Sequence, residues 1–118
     1  MRARVLIVED EIIVALFLED ILAELGYEVA GVASRLDDAI ARDPDYDAAV
    51  LDVHLNGRNV FDFADALAVR GVPFVFATGY GERGIPDRHR GRPVLQKPFQ
   101  PGDLKQVLEQ ILPQIDAA

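Results

Sequence analysis

The sequence predicts an α/β protein built on a parallel sheet with helices on both faces. Three observations lead to this fold class: short apolar runs that end abruptly at polar residues, apolar residues at helical spacing between those runs, and regular alternation of the two patterns. Short apolar runs are typical of strands that are buried on both faces. Alternation of such strands with helices specifies a parallel sheet, and right-handed crossovers leave only a few topologies.

The first half of the chain supplies three strands and two helices. The predicted strands span residues 4–8, 27–32 and 48–51. Between the first two lies a helix with apolar residues at i, i+3, i+4 and i+7 from Val14, and Gly26 stands where a left-handed C-cap is expected. The tetrapeptide from Ser34 to Asp37 resembles a capping box that opens a short second helix, which ends before Pro44.

The second half supplies two strands and two helices. The predicted strands span residues 73–77 and 93–96, the third helix runs from Val60 to a stop at Gly71, and the last follows Pro101 and ends at Pro113. A turn is predicted at Asn56-Gly57. The stretch between Thr78 and Lys97 carries four glycines, two prolines and no helical periodicity, so it is predicted to be polar and mobile.

Composition limits the classes of protein to which the chain can belong. Its 118 residues suffice for one core but not for two, so residues 1–118 are predicted to form a single domain. The net charge of −8 argues against direct nucleic-acid binding, and the absence of cysteine excludes disulfides and thiolate chemistry. No apolar run is long enough for a membrane span or a signal peptide. We therefore expect a cytoplasmic protein without nucleic-acid or membrane partners.

Five polar side chains stand at the predicted carboxyl ends of strands. They are Glu9, Asp10, Asp52, Thr78 and Lys97. The carboxyl ends of parallel strands share one edge of the sheet, where ligands bind. Clustered carboxylates repel one another unless a hard divalent cation such as Mg²⁺ compensates, and a cation, an ammonium and a hydroxyl together stabilise a transferring phosphoryl group. Asp52, alone at its strand end, is the candidate nucleophile for an aspartyl-phosphate.

Other interpretations of the same residues have to be weighed. Taken singly, each acid could cap a helix and each loop residue could be structural. An aspartyl-phosphate hydrolase or a toprim-type nuclease would need a D-x-D motif, but residue 54 is histidine. The glycines of residues 79–84 form a literal G-x-G-x-x-G, but Pro86 forbids the helix that a dinucleotide site requires. His54 and His89 lack the spacing of zinc ligands.

Four segments in the expected order resemble the receiver domain of bacterial two-component response regulators: LIVEDE, AVLDV, FATG and LQKPF. The resemblance implies a flavodoxin-like (βα)5 fold with strand order 2-1-3-4-5. It also implies that Asp52 accepts a phosphoryl group from a sensor histidine kinase. Thr78 would bond this group through its hydroxyl, and Lys97 would pair with it.

The resemblance extends to the metal site and its surroundings. Asp10 would bind Mg²⁺ directly, Glu9 mainly through water, and the backbone carbonyl of His54 would be a further ligand beside Asp52. The positions of His54 and Tyr80, each two residues beyond a site residue, influence hydrolysis of the phosphoryl group in this family. Two bulky rings at these positions are hypothesised to slow that hydrolysis.

The sequence also departs from most receivers. The aromatic residue that usually reports phosphorylation, three residues before the lysine, is replaced by Val94. The irregular stretch after Thr78 occupies the place of the fourth helix, which is therefore predicted to be altered or missing. The string PFVFATGY resembles the FAT GUY subclass of receivers, whose members are associated with HWE-type kinases and with stress signalling in alphaproteobacteria.

The predicted function is that of a stand-alone receiver in a phosphorelay. It would carry out its own phosphoryl acceptance and autodephosphorylation, would not be a metabolic enzyme, and would act on an unknown downstream protein or drain phosphate from a shared kinase. A degenerate receiver that binds partners without phosphorylation is the alternative. The only basic cluster is either a solvated loop or a docking loop for an acidic protein, and it comprises Arg83, Arg88, Arg90 and Arg92.

Overall fold

The computed structural model describes residues 2–81 and 83–112, which form an α/β unit with two sheets. In chain order the strands are β1 (Arg4–Val8), β2 (Glu28–Ala33), β3 (Ala48–Asp52), β4 (His54–Leu55), β5 (Arg58–Asn59), β6 (Phe74–Thr78) and β7 (Val94–Gln96). The α-helices are α1 (Ile12–Glu24), α2 (Leu36–Ala41), α3 (Phe61–Arg70) and α4 (Pro101–Ile111).

The main sheet has five parallel strands in the order β2-β1-β3-β6-β7. Counting only these five strands along the chain, the order is 2-1-3-4-5, so the predicted doubly wound, flavodoxin-like sheet is confirmed. Because successive side chains of a strand point to opposite faces, β1 supplies both halves of the core. Val5 and Ile7 pack in the layer with α1 and α4, whereas Leu6 and Val8 pack in the layer with α2 and α3.

The fourth helix of the predicted pattern is missing, as expected. Between β6 and β7 the described residues contain a single 3₁₀ turn, Asp87–His89, and no α-helix. Two side chains of this segment are nevertheless buried: Ile85 is 6% exposed and His89 is 3% exposed. The segment is therefore packed against the core, although its sequence predicts a polar and mobile loop.

The turn predicted at Asn56-Gly57 connects a small antiparallel hairpin formed by β4 and β5. Both turn residues have positive φ, 52° for Asn56 and 77° for Gly57. This is the backbone geometry that matches a two-residue hairpin turn to the twist of its strands, and Asn-Gly adopts it readily. The hairpin itself was not predicted because each of its strands is only two residues long.

Most of the predicted helix ends are found, with one correction. Gly26 (φ 91°) and Gly71 (φ 74°) adopt the left-handed conformation at the ends of α1 and α3. The capping box predicted from Ser34 to Asp37 is wrong: the N-cap of α2 is Arg35, which makes no side-chain cap bond. The carbonyl of Ser34 instead accepts a hydrogen bond from Asn56 Nδ2 at 2.9 Å, which ties this loop to the hairpin.

Two further predictions concern the end of the last helix and membrane-spanning segments. Pro113, where the last helix is predicted to end, lies outside the described residues. Within residues 2–81 and 83–112, no helix is both long and apolar enough to cross a bilayer.

Candidate functional site

Three carboxylates converge at the carboxyl edge of the main sheet. Glu9 and Asp10 come directly after β1, and Asp52 is the last residue of the neighbouring β3. Each offers an oxygen within 4.8 Å of the oxygens offered by the other two. Glu9 is 2% exposed and Asp52 is 6% exposed, whereas Asp10 is half-buried at the rim. The parallel sheet thus brings together the acids that the sequence places at two strand ends.

Backbone amides hold the orientation of these carboxylates. Glu9 Oε1 accepts the N–H of Glu11 at 3.1 Å, and Asp10 Oδ2 accepts the N–H of Asn56 at 2.8 Å. Asp52 Oδ1 accepts the N–H of His54 at 3.3 Å. Burial opposes ionisation of Asp10, but the amide of Asn56 stabilises its charged form, and the pKa of this carboxyl lies below its ordinary value.

Lys97 is the cation of the site and reaches it from the end of β7. Its Nζ lies 3.0 Å from Glu9 Oε2, 3.6 Å from Asp52 Oδ1 and 3.8 Å from Glu11 Oε1. Burial works against the ammonium, but the bond to Glu9 and the neighbouring carboxylates outweigh it and raise the pKa of Lys97 above its ordinary value. The lysine therefore stays charged at physiological pH.

The ammonium of Lys97 does not balance the negative charge of the three carboxylates at the site. Burial and the charge of Glu9 raise the pKa of Asp52 to about 7, and the attraction of Lys97 only partly offsets this. The carboxylates of Glu9, Asp10 and Asp52 form an all-oxygen donor set with an excess of negative charge. Such a set suits a hard divalent cation such as Mg²⁺, so the residues fit the metal that the sequence predicts.

Thr78 completes the edge on the other side of Asp52. It ends β6, where Asp52 pairs with Ala77, and it is 2% exposed. Its Oγ1 accepts the N–H of Tyr80 at 3.0 Å, and its carbonyl accepts the N–H of Lys97 at 2.9 Å. The hydroxyl and the ammonium are therefore carried by two strand ends that are bonded to each other.

This arrangement was compared with known proteins. No protein-family model matches the chain. Its sequence is 43% identical to SdrG from Sphingomonas melonis Fr1, whose solution structure matches with a TM-score of 0.84 over 94% of this chain and 97% of SdrG. A solution structure of SdrG in a BeF3-activated conformation matches with a TM-score of 0.81 at 44% identity, over 95% of this chain and 99% of that one.

A solved structure that is described as a receiver domain also matches nearly the whole of this chain. The response regulator REC domain of PhyR from Erythrobacter litoralis is 28% identical, with a TM-score of 0.83 over 99% of this chain and 95% of that domain. The chain belongs to the response regulator receiver domains.

Two curated relatives of this receiver domain are regulators by name. The phyllosphere-induced regulator PhyR of Methylorubrum extorquens is 35% identical over 95% of this chain and 44% of PhyR. The transcriptional regulatory protein PdtaR of Mycobacterium tuberculosis is 33% identical over 90% of this chain and 55% of PdtaR. The receiver domain thus spans about half the length of these curated relatives.

His54 and Tyr80 flank the site of this receiver domain as a pair. Their ring centroids are 5.7 Å apart with the edge of one ring against the face of the other, and both residues are exposed. Such pairs contribute about 0.5–1.5 kcal/mol beyond their buried area. The two rings that are hypothesised to slow hydrolysis are therefore in contact with each other. The metal-binding role of the His54 carbonyl stays a prediction.

Val94, the residue at the usual aromatic position of a receiver, lies in β7 and pairs with Phe76. It is half-buried and packs against the core layer that contains α3. In the basic cluster, Arg92 is half-buried and the other three arginines are exposed. Arg88 Nε donates to Asp65 Oδ1 at 2.8 Å, and the guanidinium of Arg92 lies 4.4 Å from the ring centroid of Phe74.

The sequence analysis does not predict the long-range contacts of two side chains, Gln96 and His89. Gln96 Nε2 donates to the carbonyls of Gly79 and Lys97, both at 3.0 Å, and so links the backbones that come after β6 and β7. His89 is buried with its Nε2 2.7 Å from Asp65 Oδ1. No local pattern reveals either contact, because the partners lie 17 and 24 residues away along the chain.

Proposed function

We propose that this receiver domain takes a phosphoryl group from a sensor histidine kinase onto Asp52 in the presence of Mg²⁺. The modified domain then signals through changed protein–protein binding or acts as a phosphate sink in a phosphorelay. The observation that carries the proposal is the position of Asp52, whose carboxylate lies with Glu9 and Asp10 within 4.8 Å and has the Lys97 ammonium at 3.6 Å.

In the proposed reaction a carboxylate oxygen of Asp52 attacks phosphorus, a P–O bond forms, and the P–N bond of the phosphohistidine breaks. Lys97 pairs with the phosphoryl oxygens, and the Thr78 hydroxyl, whose oxygen accepts the N–H of Tyr80, donates its proton to the same group. Glu9, Asp10, Asp52 and the carbonyl of His54 would hold Mg²⁺. When bound, Mg²⁺ neutralises charge on the transferring group.

We also propose the finer assignment to the FAT GUY subclass and to a kinase of the HWE type. The motif at residues 73–80 supports it, and so does the single 3₁₀ turn in place of the fourth helix. Similarity to PhyR and SdrG is compatible with this assignment. Phosphotransfer from a purified HWE-type kinase, compared with a kinase of another type at equal concentration, tests the partner.

Phosphorylation itself is tested by intact-mass measurement after incubation with acetyl phosphate and Mg²⁺. We expect one added phosphoryl group on the wild type and none with chelator or in Asp52→Asn. An unmodified wild type under these conditions, together with full binding to partners, would favour the degenerate receiver instead. More than one added group would point to acceptors outside the site.

The role of Asp10 in metal binding can be separated from its role in the fold. We expect Asp10→Asn to weaken Mg²⁺ binding at least about tenfold, since the variant loses a charged oxygen ligand. The amide oxygen still accepts the N–H of Asn56, so the thermal midpoint of the metal-free variant should stay close to that of the wild type. Titration calorimetry measures the affinity, and equal affinities in both proteins would contradict the assignment.

The His54–Tyr80 ring pair is expected to slow loss of the phosphoryl group by limiting the approach of water. Replacing both residues with alanine should accelerate autodephosphorylation by about three- to tenfold, whereas either single change should have a smaller effect because one ring remains. The decay of phosphorylated protein after donor removal measures this. An unchanged lifetime in the double variant would show that the rings only shield the rim.

A further inference from the structure

His89 is a polar side chain that is buried among aromatic rings. It lies in the segment from residue 79 to residue 93, and its ring is enclosed by three aromatic rings. The centroid distances are 6.3 Å to Phe61, 5.7 Å to Phe74 and 5.6 Å to Phe76. The first contact is stacked and the other two are edge-to-face, which are the favourable geometries for aromatic pairs. We call these three rings the aromatic cage.

One side of the His89 ring is bonded and the other is not. Nε2 lies 2.7 Å from Asp65 Oδ1, whereas Nδ1 is buried and has no hydrogen-bond partner in the described part of the chain. The tautomer with its proton on Nε2 satisfies Asp65 and leaves Nδ1 as a buried, unpaired acceptor. An unpaired buried polar atom costs about 1–3 kcal/mol. A phenyl ring would avoid that cost, so packing alone does not account for histidine here.

The segment is tied down around His89 at further points. Arg88 Nε donates to the same Asp65 oxygen at 2.8 Å, and Arg92 lies over the ring of Phe74. Ile85 is buried in the same core layer. Asp65 of α3 is therefore the common anchor for this segment, whose described residues contain a 3₁₀ turn but no α-helix.

This anchored segment is connected to Thr78 from two directions. Phe76 of the aromatic cage and Thr78 are two residues apart in β6, so their side chains lie on the same face of the sheet. At the start of the segment, the N–H of Tyr80 donates to Thr78 Oγ1. A movement of the Thr78 hydroxyl toward Asp52 would stretch that bond, which links the site to the start of the segment.

We infer that His89 is a positioning residue that latches the segment against α3 while Asp52 is unmodified and leaves the aromatic cage when Asp52 carries a phosphoryl group. The inference rests on the proposed function of Asp52. Coupling between two sites is reciprocal. A ligand whose binding releases His89 must therefore bind more tightly to a protein in which the bond between His89 and Asp65, which we call the latch, is already weakened. A merely structural contact has no such effect on the ligand.

The test uses beryllofluoride with Mg²⁺ as the phosphoryl analogue and nuclear magnetic resonance of the two histidine rings. The ring protons of His89 experience the ring currents of the aromatic cage. At saturation with beryllofluoride we expect them to move toward the shifts of a solvent-exposed histidine, and a His54→Ala variant separates the two sets of signals. Unchanged His89 signals at saturation would overturn the inference.

Reciprocity is tested with two matched variants. Asp65→Ala removes the anchor of the latch and should bind beryllofluoride about three- to tenfold more tightly than the wild type. Asp87→Ala breaks the exposed Arg90–Asp87 ion pair of the same segment and should bind with wild-type affinity. Equal affinity in Asp65→Ala and Asp87→Ala would overturn the latch. A wild type that binds no beryllofluoride with Mg²⁺ would overturn both the proposed function and the latch, whereas binding without movement of His89 overturns the latch alone.

Discussion

Replacing Lys97 with alanine is expected to lower the free energy of unfolding of the metal-free protein by on the order of 3 kcal/mol. The change leaves the Glu9 carboxylate, whose side chain is 1% exposed, without the ammonium at 3.0 Å and still close to Asp52. Removing one partner of a buried ion pair leaves an uncompensated charge in a poorly solvated site. Urea denaturation at neutral pH with chelator present measures the loss.

A matched control and a second variant distinguish this cause from a general loss of stability. Lys105→Ala removes an exposed lysine of α4 and should change the unfolding free energy by less than about 0.5 kcal/mol. Adding Glu9→Gln to Lys97→Ala should restore much of the lost stability, because the uncompensated buried charge is gone. If the double variant is as unstable as the sum of both single variants, the ion pair is not the cause.

Asp52→Asn is expected to raise the free energy of unfolding of the metal-free protein at pH 8, by an amount similar to the loss in Lys97→Ala. The pKa of Asp52 in the fold is about 7, well above its ordinary value of 3.8. A raised pKa means that the folded state prefers the protonated acid. The contribution of Asp52 to stability is therefore fully present below about pH 4 and is lost as the pH rises through about 7.

At pH 8 the metal-free wild type should consequently be less stable than Asp52→Asn by on the order of 4 kcal/mol, since the pKa of Asp52 rises from 3.8 to about 7 and each tenfold change in acid strength corresponds to about 1.4 kcal/mol. The difference should vanish near pH 4. Mg²⁺ should stabilise the wild type more than the variant, because the variant lacks one charged ligand. Asp20→Asn, at an exposed position of α1, is the control and should track the wild-type curve. Parallel pH curves for wild type and Asp52→Asn would contradict the electrostatic account.

The clustering of the site residues at one edge of the sheet was predictable because the carboxyl ends of parallel strands lie side by side. Glu9 and Asp52 belong to the ends of neighbouring strands, so strand order and direction suffice to place them side by side. The missing fourth helix was predictable from local composition. Glycine and proline between Thr78 and Lys97 leave no run of residues that could form one.

The contacts that anchor the segment between β6 and β7 were not predictable. The bond between His89 and Asp65 joins residues 24 positions apart, and a single histidine among arginines carries no periodic signal. The capping box predicted at Ser34 does not form because α2 begins one residue later, with Arg35 at the N-cap. Local patterns indicate what a residue can do, whereas tertiary partners decide which of these contacts forms.

The most direct measurement of the central claim is to locate the phosphoryl group within the chain. After incubation with acetyl phosphate and Mg²⁺, borohydride reduces an acyl phosphate of aspartate to homoserine, and peptide mass spectrometry identifies the changed residue. The account predicts homoserine at position 52 and at no other acidic position. Modification at Glu9 or Asp10, or no modification at position 52 in a protein that gained a phosphoryl group, would contradict it.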